Sequence, residues 1–281
     1  MRLLSFQHGS RTSFGVQTPG GIADLGTEAC PDLRTALATG LHLPDAAARA
    51  KTLIDESSIT WLPPIPAPGK ILCVGYNYRS HLAELNTPVP QYPSLFVRFP
   101  GAQVGHGQPI ERPSLSEQFD FEGELAAVIG CPGRHIQERD ALAHVAGYAC
   151  FADNSLRDYQ RHSAQATPGK NFDRSGAFGP CLVTADEVGD VGALTLMTSV
   201  NGKEMQRAGL DDLIFSVPFL VSYISRFTRL EAGDVIATGT PGGVGWGREP
   251  KLWLQPGDTL EVEISGVGTL RNVVVDETGE G

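Results

Sequence analysis

The sequence predicts a β-rich α/β fold, with one large domain preceded by a small N-terminal α+β domain. Three observations lead there. Gly 33 and Pro 20 make about a fifth of the 281 residues, which favours many turns between short strands over a helical bundle. Short apolar runs that stop at turn residues recur along the chain. These runs do not alternate regularly with long helices, which argues against a doubly wound sheet. The boundary falls in Trp61-Leu62-Pro63-Pro64-Ile65-Pro66-Ala67-Pro68-Gly69-Lys70, where four prolines in six residues fix φ and remove amide donors. Residues 1–65 form the small domain and residues 66–281 the large one.

In the small domain, Leu3 to Phe6 and Phe14 to Val16 read as strands. Asp32 to Leu41 reads as a helix with Leu33, Ala36 and Leu37 on one face. Beyond the connector, Ile71-Leu72-Cys73-Val74 is a short buried strand. Leu194 to Val200 and Lys203 to Gln206 flank Asn201-Gly202, the strongest short hairpin signal. Val235 to Thr238, Thr259 to Ile264 and Gly268 to Val275 are further strands. Gln137 to Ala146 and Asn154 to His162 are expected helices, the second capped by Asn154. Val217 to Phe227 is a third, with Ser216 as cap, Pro218 in its first turn, and Leu220, Val221, Ile224 and Phe227 towards the core.

A net charge of −10 leaves no general basic face for nucleic acid and disfavours anionic membranes. No apolar run approaches the ~20 residues of a membrane span, and the N-terminal residues lack a signal-peptide pattern. Five widely spaced cysteines without C-x-x-C do not suggest a disulfide framework or a structural zinc site. The expected compartment is the cytoplasm.

The chemistry concentrates in Phe119-Asp120-Phe121-Glu122-Gly123-Glu124-Leu125, which runs on into Ala126-Ala127-Val128-Ile129. Strand alternation puts Asp120, Glu122 and Glu124 on one face and carries them into a buried segment. Carboxylates two residues apart, ~7 Å along a strand, repel by roughly 2 kcal/mol at an effective dielectric of ~20. A divalent cation removes that cost, and oxygen donors without cysteine favour Mg²⁺, Mn²⁺ or Ca²⁺ over zinc. A solvated acidic edge strand is the plainer alternative. Asp153 ends the apolar run Tyr148 to Ala152, and Lys170 is a lone cation after Pro168-Gly169. His81 and Glu84 lie at i, i+3, a spacing that serves a general base, a metal or an ordinary surface pair. Thr238-Gly239-Thr240-Pro241-Gly242-Gly243-Val244-Gly245 offers backbone amides to an anion without a nucleotide fingerprint.

Together these segments resemble the fumarylacetoacetate hydrolase family over roughly residues 70 to 275. The resemblance is carried by G-Y-N-Y-x-x-H-x-x-E at 75–84, F-E-G-E-L at 121–125, A-D-N-S-x-R-D-x-Q at 152–160, G-K-N-F-D at 169–173, T-G-T-P-G-G-V-G at 238–245 and P-G-D-T-L-E-V-E-I at 256–264. It implies a mixed β-sandwich roll, one Mg²⁺ or Mn²⁺ per subunit and a homodimer. It implies Glu122, Glu124 and Asp153 as metal ligands, Lys170 as a stabiliser of the developing enolate, and His81 with Glu84 as a water-activating pair on a lid. Tyr76, Arg98, Arg157, Tyr159, Gln160 and Thr240 are the implied substrate contacts, with Arg98, Arg79 or Arg157 holding a far carboxylate.

Members share enolate formation on a 2-oxo acid, and the fold does not choose among their reactions. The His-x-x-Glu pair favours hydrolysis. The expected activity is C–C cleavage of an acylpyruvate such as fumarylpyruvate or maleylpyruvate in aromatic-compound catabolism. Oxaloacetate-type decarboxylation, 2-keto-3-deoxy acid hydratase or dehydratase chemistry and hydroxymuconate isomerisation are alternatives within the family. A non-catalytic metal- or sugar-binding β-domain is the alternative from outside it.

Overall fold

The computed structural model describes residues 1–50 and 53–278. Two large sheets carry the β-rich α/β fold. Ten strands of the twelve-stranded sheet run in the order Leu53–Ile54, Gly21–Asp24, Arg11–Thr18, Arg2–His8, Gly176–Thr184, Val145–Ala152, Gly123–Ile129, Val235–Ala237, Ile71–Gly75 and Ser94–Arg98. Thr60–Leu62 and Gln103–Val104 complete it by pairing with Arg2–His8 and Gly176–Thr184. The five-stranded sheet runs Lys203–Gly209, Thr195–Val200, Thr259–Ile264, Gly268–Asp276 and Ile110–Arg112. The large sheet crosses residue 65 without a break, because Arg2–His8 pairs antiparallel with Gly176–Thr184.

The apolar run from Leu125 to Ile129 is explained by burial on both faces. Leu125, Ala127 and Ile129 join a core with Leu196, Val262, Ile264 and Leu270 of the smaller sheet. Ala126 and Val128 point the other way, into a core with Leu3, Phe14, Leu33, Ile71 and Cys73. The neighbouring strand alternates likewise, Tyr148 and Cys150 to the first core, Ala149 and Phe151 to the second. Even-numbered residues before Leu125 and odd-numbered residues after Phe151 therefore emerge on the same face of the sheet.

Most expected strands form within a residue or two of their expected limits. The Asn201-Gly202 turn joins Thr195–Val200 to Lys203–Gly209, and Asp32 caps the helix Leu33–Thr39 by accepting from Thr35 N–H at 2.7 Å. Three elements differ. In place of a helix over 137–146, a 3₁₀ segment at Glu138–His144 feeds the strand Val145–Ala152. Gly147 lies so close to the next strand that a Cβ would meet Val183 O at 2.2 Å, so this stretch is built for sheet packing. Only Arg157–Gln160 is helical within 154–162, because Ser155–Leu156 pairs with Phe119–Asp120. Asn154 caps nothing; its side chain donates to Ser175 O at 2.9 Å. In the helix Val217–Phe227, Ser216 caps and Leu220, Val221 and Ile224 are buried, but Phe227 at its last turn is 55% exposed. Among the described residues no helix is long and apolar enough to cross a membrane.

Candidate active site and metal centre

The carboxylates gather where two central strands end side by side. Gly123 pairs with Ala152, which sets Glu122 opposite Asp153, and Asp153 N–H donates to Glu122 O at 2.8 Å. The strand alternation expected from Phe119 is interrupted at Phe121–Glu122, between Phe119–Asp120 and Gly123–Ile129. One carboxylate oxygen each from Glu122, Glu124 and Asp153 lie within 4.8 Å of one another, closer than a regular strand would bring Glu122 and Glu124. All three residues are buried.

Four buried carboxylates (Asp120, Glu122, Glu124 and Asp153) face three buried cations (Arg98, Arg157 and Lys170), leaving one negative charge over. Lys170 Nζ donates to Glu122 Oε2 and Asp153 Oδ2 at 2.5 Å each and to Asp153 O at 3.0 Å. Arg157 holds Asp120 at 2.8 Å and Glu122 at 2.5 Å, and Arg98 holds Asp153 Oδ1 at 2.7 Å. Glu124 makes no ion pair among the described residues; its carboxylate accepts only Gly239 N–H, at 2.8 Å. Burial, then the charge of Asp153, pushes the Glu124 carboxyl well above its ordinary range. Burial works the same way on Glu122, but Arg157 and Lys170 outweigh it and hold that carboxyl low. Nearby, burial and then the charges of Asp153 and Glu124 raise the Cys73 thiol well above its ordinary value, so no thiolate competes as a ligand. Three oxygen donors, excess negative charge and no soft ligand fit a hard divalent ion such as Mg²⁺ or Mn²⁺.

The glycine-rich loop does bind anions, and they are the chain's own side chains. Gly239 N–H holds Glu124, Gly243 N–H holds Glu84 Oε1 at 3.0 Å, and the amides of Gly245 and Trp246 hold Asp120 at 2.7 and 2.9 Å. Gly239 is required here: its φ is +100° and a Cβ would meet Val74 O at 2.8 Å. His81 and Glu84 lie on the helix Arg79–Glu84, with Nδ1 3.1 Å from Glu84 Oε2. Burial alone would raise the Glu84 carboxyl; the bonds from His81 and Gly243 prevail and keep it ionised. An ionised carboxylate can only accept, so Nδ1 carries a proton, and in the neutral imidazole the lone pair then lies on Nε2.

A cleft of about 580 Å³ joins these groups, lined by Glu122, Glu124, Asp153, Lys170 and His81. Tyr76, Arg157, Gln160 and Thr240 also line it. Tyr76 has a left-handed backbone, φ +59°. Asn77 pins it by donating to Phe215 O and Thr238 O at 3.0 and 2.7 Å and accepting Phe215 N–H at 2.7 Å. We expect Asn77→Ala to lose about 2–4 kcal/mol of stability in urea unfolding, because three buried backbone groups lose their partner.

Two expected substrate contacts lie elsewhere. Arg98 is fully buried, with its two terminal nitrogens spent on Asp153, Asn154 O, Ala102 O and Ser175. Tyr159 does not line the cleft; its ring packs edge-on against Phe172 at 5.0 Å. Arg79, another candidate for a far carboxylate, donates to Asp211 O and Leu213 O. Sequence reasoning missed Gln206, which accepts Gly123 N–H and donates to Thr240 Oγ1 and Pro241 O, tying the loop to the metal strand. It also gave Asp120 no role apart from the acidic face. Gln206 carried no signal, lying in an ordinary hairpin strand; Asp120 carried one, as a third acid entering a buried run.

Residues 70–275 match the family described as fumarylacetoacetate (FAA) hydrolase C-terminal. The chain is 38% identical to the mitochondrial oxaloacetate tautomerase fahd2 of Xenopus laevis, over 98% of this chain and 90% of that protein. Among solved structures it resembles a fumarylacetoacetate hydrolase from Exiguobacterium antarcticum, with a TM-score of 0.87 and 36% identity over 99% of this chain and 100% of that one. It also resembles the maleylpyruvate hydrolase of Sphingobium sp. SYK-6 in complex with manganese(II) and pyruvate, with a TM-score of 0.83 and 27% identity over 99% and 100% of the two chains.

Proposed function

The chain belongs to the fumarylacetoacetate hydrolase family, whose members include hydrolases, isomerases and tautomerases, and from that premise we propose that it interconverts the keto and enol forms of a short 2-oxo acid of the oxaloacetate type. The observation that carries this reading is a single oriented base, His81, opening on the cleft that holds the carboxylate triad. Moving a proton between C3 and the 2-oxo oxygen needs one base and a site that tolerates negative charge on that oxygen. The near full-length likeness to a protein named for oxaloacetate tautomerisation supports the same choice.

Glu122, Glu124 and Asp153 would hold the divalent ion, which supplies Lewis-acid stabilisation of charge on the substrate oxygen. Nε2 of His81 takes the proton from C3 and returns it to oxygen, or the reverse, so no atom is gained or lost. Ionised Glu84 steadies the imidazolium that forms between the two transfers. Hydrolysis of an acylpyruvate is the second reading. It is favoured by the same His81–Glu84 pair, which can equally take a proton from water, and by the likeness to a maleylpyruvate hydrolase.

The test follows enol absorbance and pyruvate release with Mg²⁺-loaded protein, given oxaloacetate and a panel of 2,4-dioxo acids. Accelerated loss of the oxaloacetate enol without pyruvate supports tautomerisation. Faster pyruvate release from a dioxo acid supports hydrolysis, and neither result refutes both. We expect His81→Ala to slow tautomerisation by about 10²–10⁴-fold, the usual worth of a general base, and to leave any metal-assisted decarboxylation comparatively intact. Parallel loss of both activities would mean that His81 organises the cleft rather than moving the proton.

A further inference from the structure

We propose that Arg161 is the specificity-determining residue that receives the distal carboxylate of a dicarboxylic substrate, an inference that rests on the 2-oxo acid reading above. The cleft has three lining lysine or arginine side chains, Arg157, Arg161 and Lys170. Arg157 and Lys170 are spent on Asp120, Glu122 and Asp153. Arg161 pairs with no carboxylate among the described residues. Its Nε donates to Arg157 O at 3.0 Å and one terminal nitrogen reaches Gln118 Oε1 at 3.2 Å. The other terminal nitrogen makes no bond to the chain among those residues.

Its position suits a second anchor. Arg161 follows the helix Arg157–Gln160, one turn beyond Arg157, which grips the metal ligand Glu122. Arg161 and the triad Glu122, Glu124 and Asp153 line the same cleft, so one substrate can meet both. The guanidinium lies over the Trp246 ring, 4.1 Å from its centroid, and the Lys251 ammonium lies 3.9 Å from the same centroid. Trp246 also lines the cleft. A guanidinium seated over an indole loses less freedom when it meets a carboxylate than one free in solvent. Two cations around one indole also make this rim favourable for an anion, in a protein of net charge −10.

The test compares two acids that both enolise at C3: oxaloacetate, which has a distal carboxylate, and acetylpyruvate, which has a methyl ketone instead. The readout is the ratio of their kcat/KM values with Mg²⁺-loaded protein. Arg161→Met should lower the oxaloacetate-to-acetylpyruvate ratio by about 10- to 100-fold, the worth of a charge-assisted hydrogen bond, mainly through KM for oxaloacetate. Arg161→Lys should recover part of the ratio, since it keeps the charge and loses the fork. A ratio within twofold of wild type in Arg161→Met overturns the inference. If wild-type protein turns over neither acid, the functional reading fails. Calorimetric titration of the Mg²⁺-loaded protein then decides the inference: preference for oxaloacetate that Arg161→Met abolishes upholds it, and no preference in wild type refutes it.

Discussion

Glu124→Gln is expected to abolish Mg²⁺-dependent turnover while the protein stays folded. Glu124 is the one buried carboxylate of the cluster that no cation touches among the described residues, so its charge is uncompensated without an ion. Burial and the charge of Asp153 both disfavour its ionised form. A neutral amide of the same shape keeps the bond from Gly239 N–H and relieves that repulsion. The melting temperature of metal-free Glu124→Gln should therefore equal or exceed that of the metal-free wild type. Added Mg²⁺ should raise the wild-type melting temperature by mass action and leave the variant almost unmoved. Because burial and Asp153 raise the Glu124 carboxyl, protons also compete with the ion for it. Wild-type Mg²⁺ affinity should weaken as pH falls, and residual affinity in the variant should depend less on pH. Near wild-type activity of the variant at saturating Mg²⁺ would remove Glu124 from the metal centre.

Much of the fold was legible because its signals are local. Asn201-Gly202 forces a tight hairpin whatever surrounds it, and Ser216 with Pro218 starts a helix from within three residues. The failures came where long-range pairing overrode a local preference. Residues 154–162 contain a good cap and helix formers, yet Ser155–Leu156 is claimed by Phe119–Asp120, a partner more than thirty residues away. Phe227 fits the apolar stripe of its helix, but the stripe outlasts the core it faces, and the last turn projects into solvent.

The site divides along the same line. The converging acids were visible because an apolar run carried them into the interior, where charge needs a reason. The glycine-rich loop was visible as a source of amides, but not what those amides would hold. Its partners come from two segments, Glu84 from one and Asp120 and Glu124 from the other, and only the fold shows that one loop orders all of them. Arg98 illustrates the opposite error. It has the chemistry of a substrate anchor, but the sheet buries it at Asp153 with both terminal nitrogens already used.

Lys170→Met is expected to lower kcat by about 10²–10³-fold, comparable to the loss of one oxyanion donor, and to destabilise the metal-free protein. The family resemblance implied that Lys170 stabilises the developing enolate. In the structure all three of its donors are engaged by Glu122 Oε2, Asp153 Oδ2 and Asp153 O. It stands as the positive counterweight inside the carboxylate cluster, 1% exposed. Burial disfavours its charge, and the neighbouring Asp153 and Glu122 more than restore it, so the ammonium stays protonated. Removing one partner of such a buried network typically costs about 3–5 kcal/mol, because the remaining carboxylates are left uncompensated. Metal-free Lys170→Met should unfold at lower urea concentration than wild type, and saturating Mg²⁺ should recover much of the difference by restoring positive charge beside Glu122 and Asp153. Turnover should stay low even in that metal-restored protein, since a methionine brings no positive charge to the carboxylate cluster as negative charge builds on the substrate. A variant whose kcat returns to wild type at saturating Mg²⁺ would confine Lys170 to stabilising the site. A rise in substrate KM with kcat unchanged would make it a binding residue.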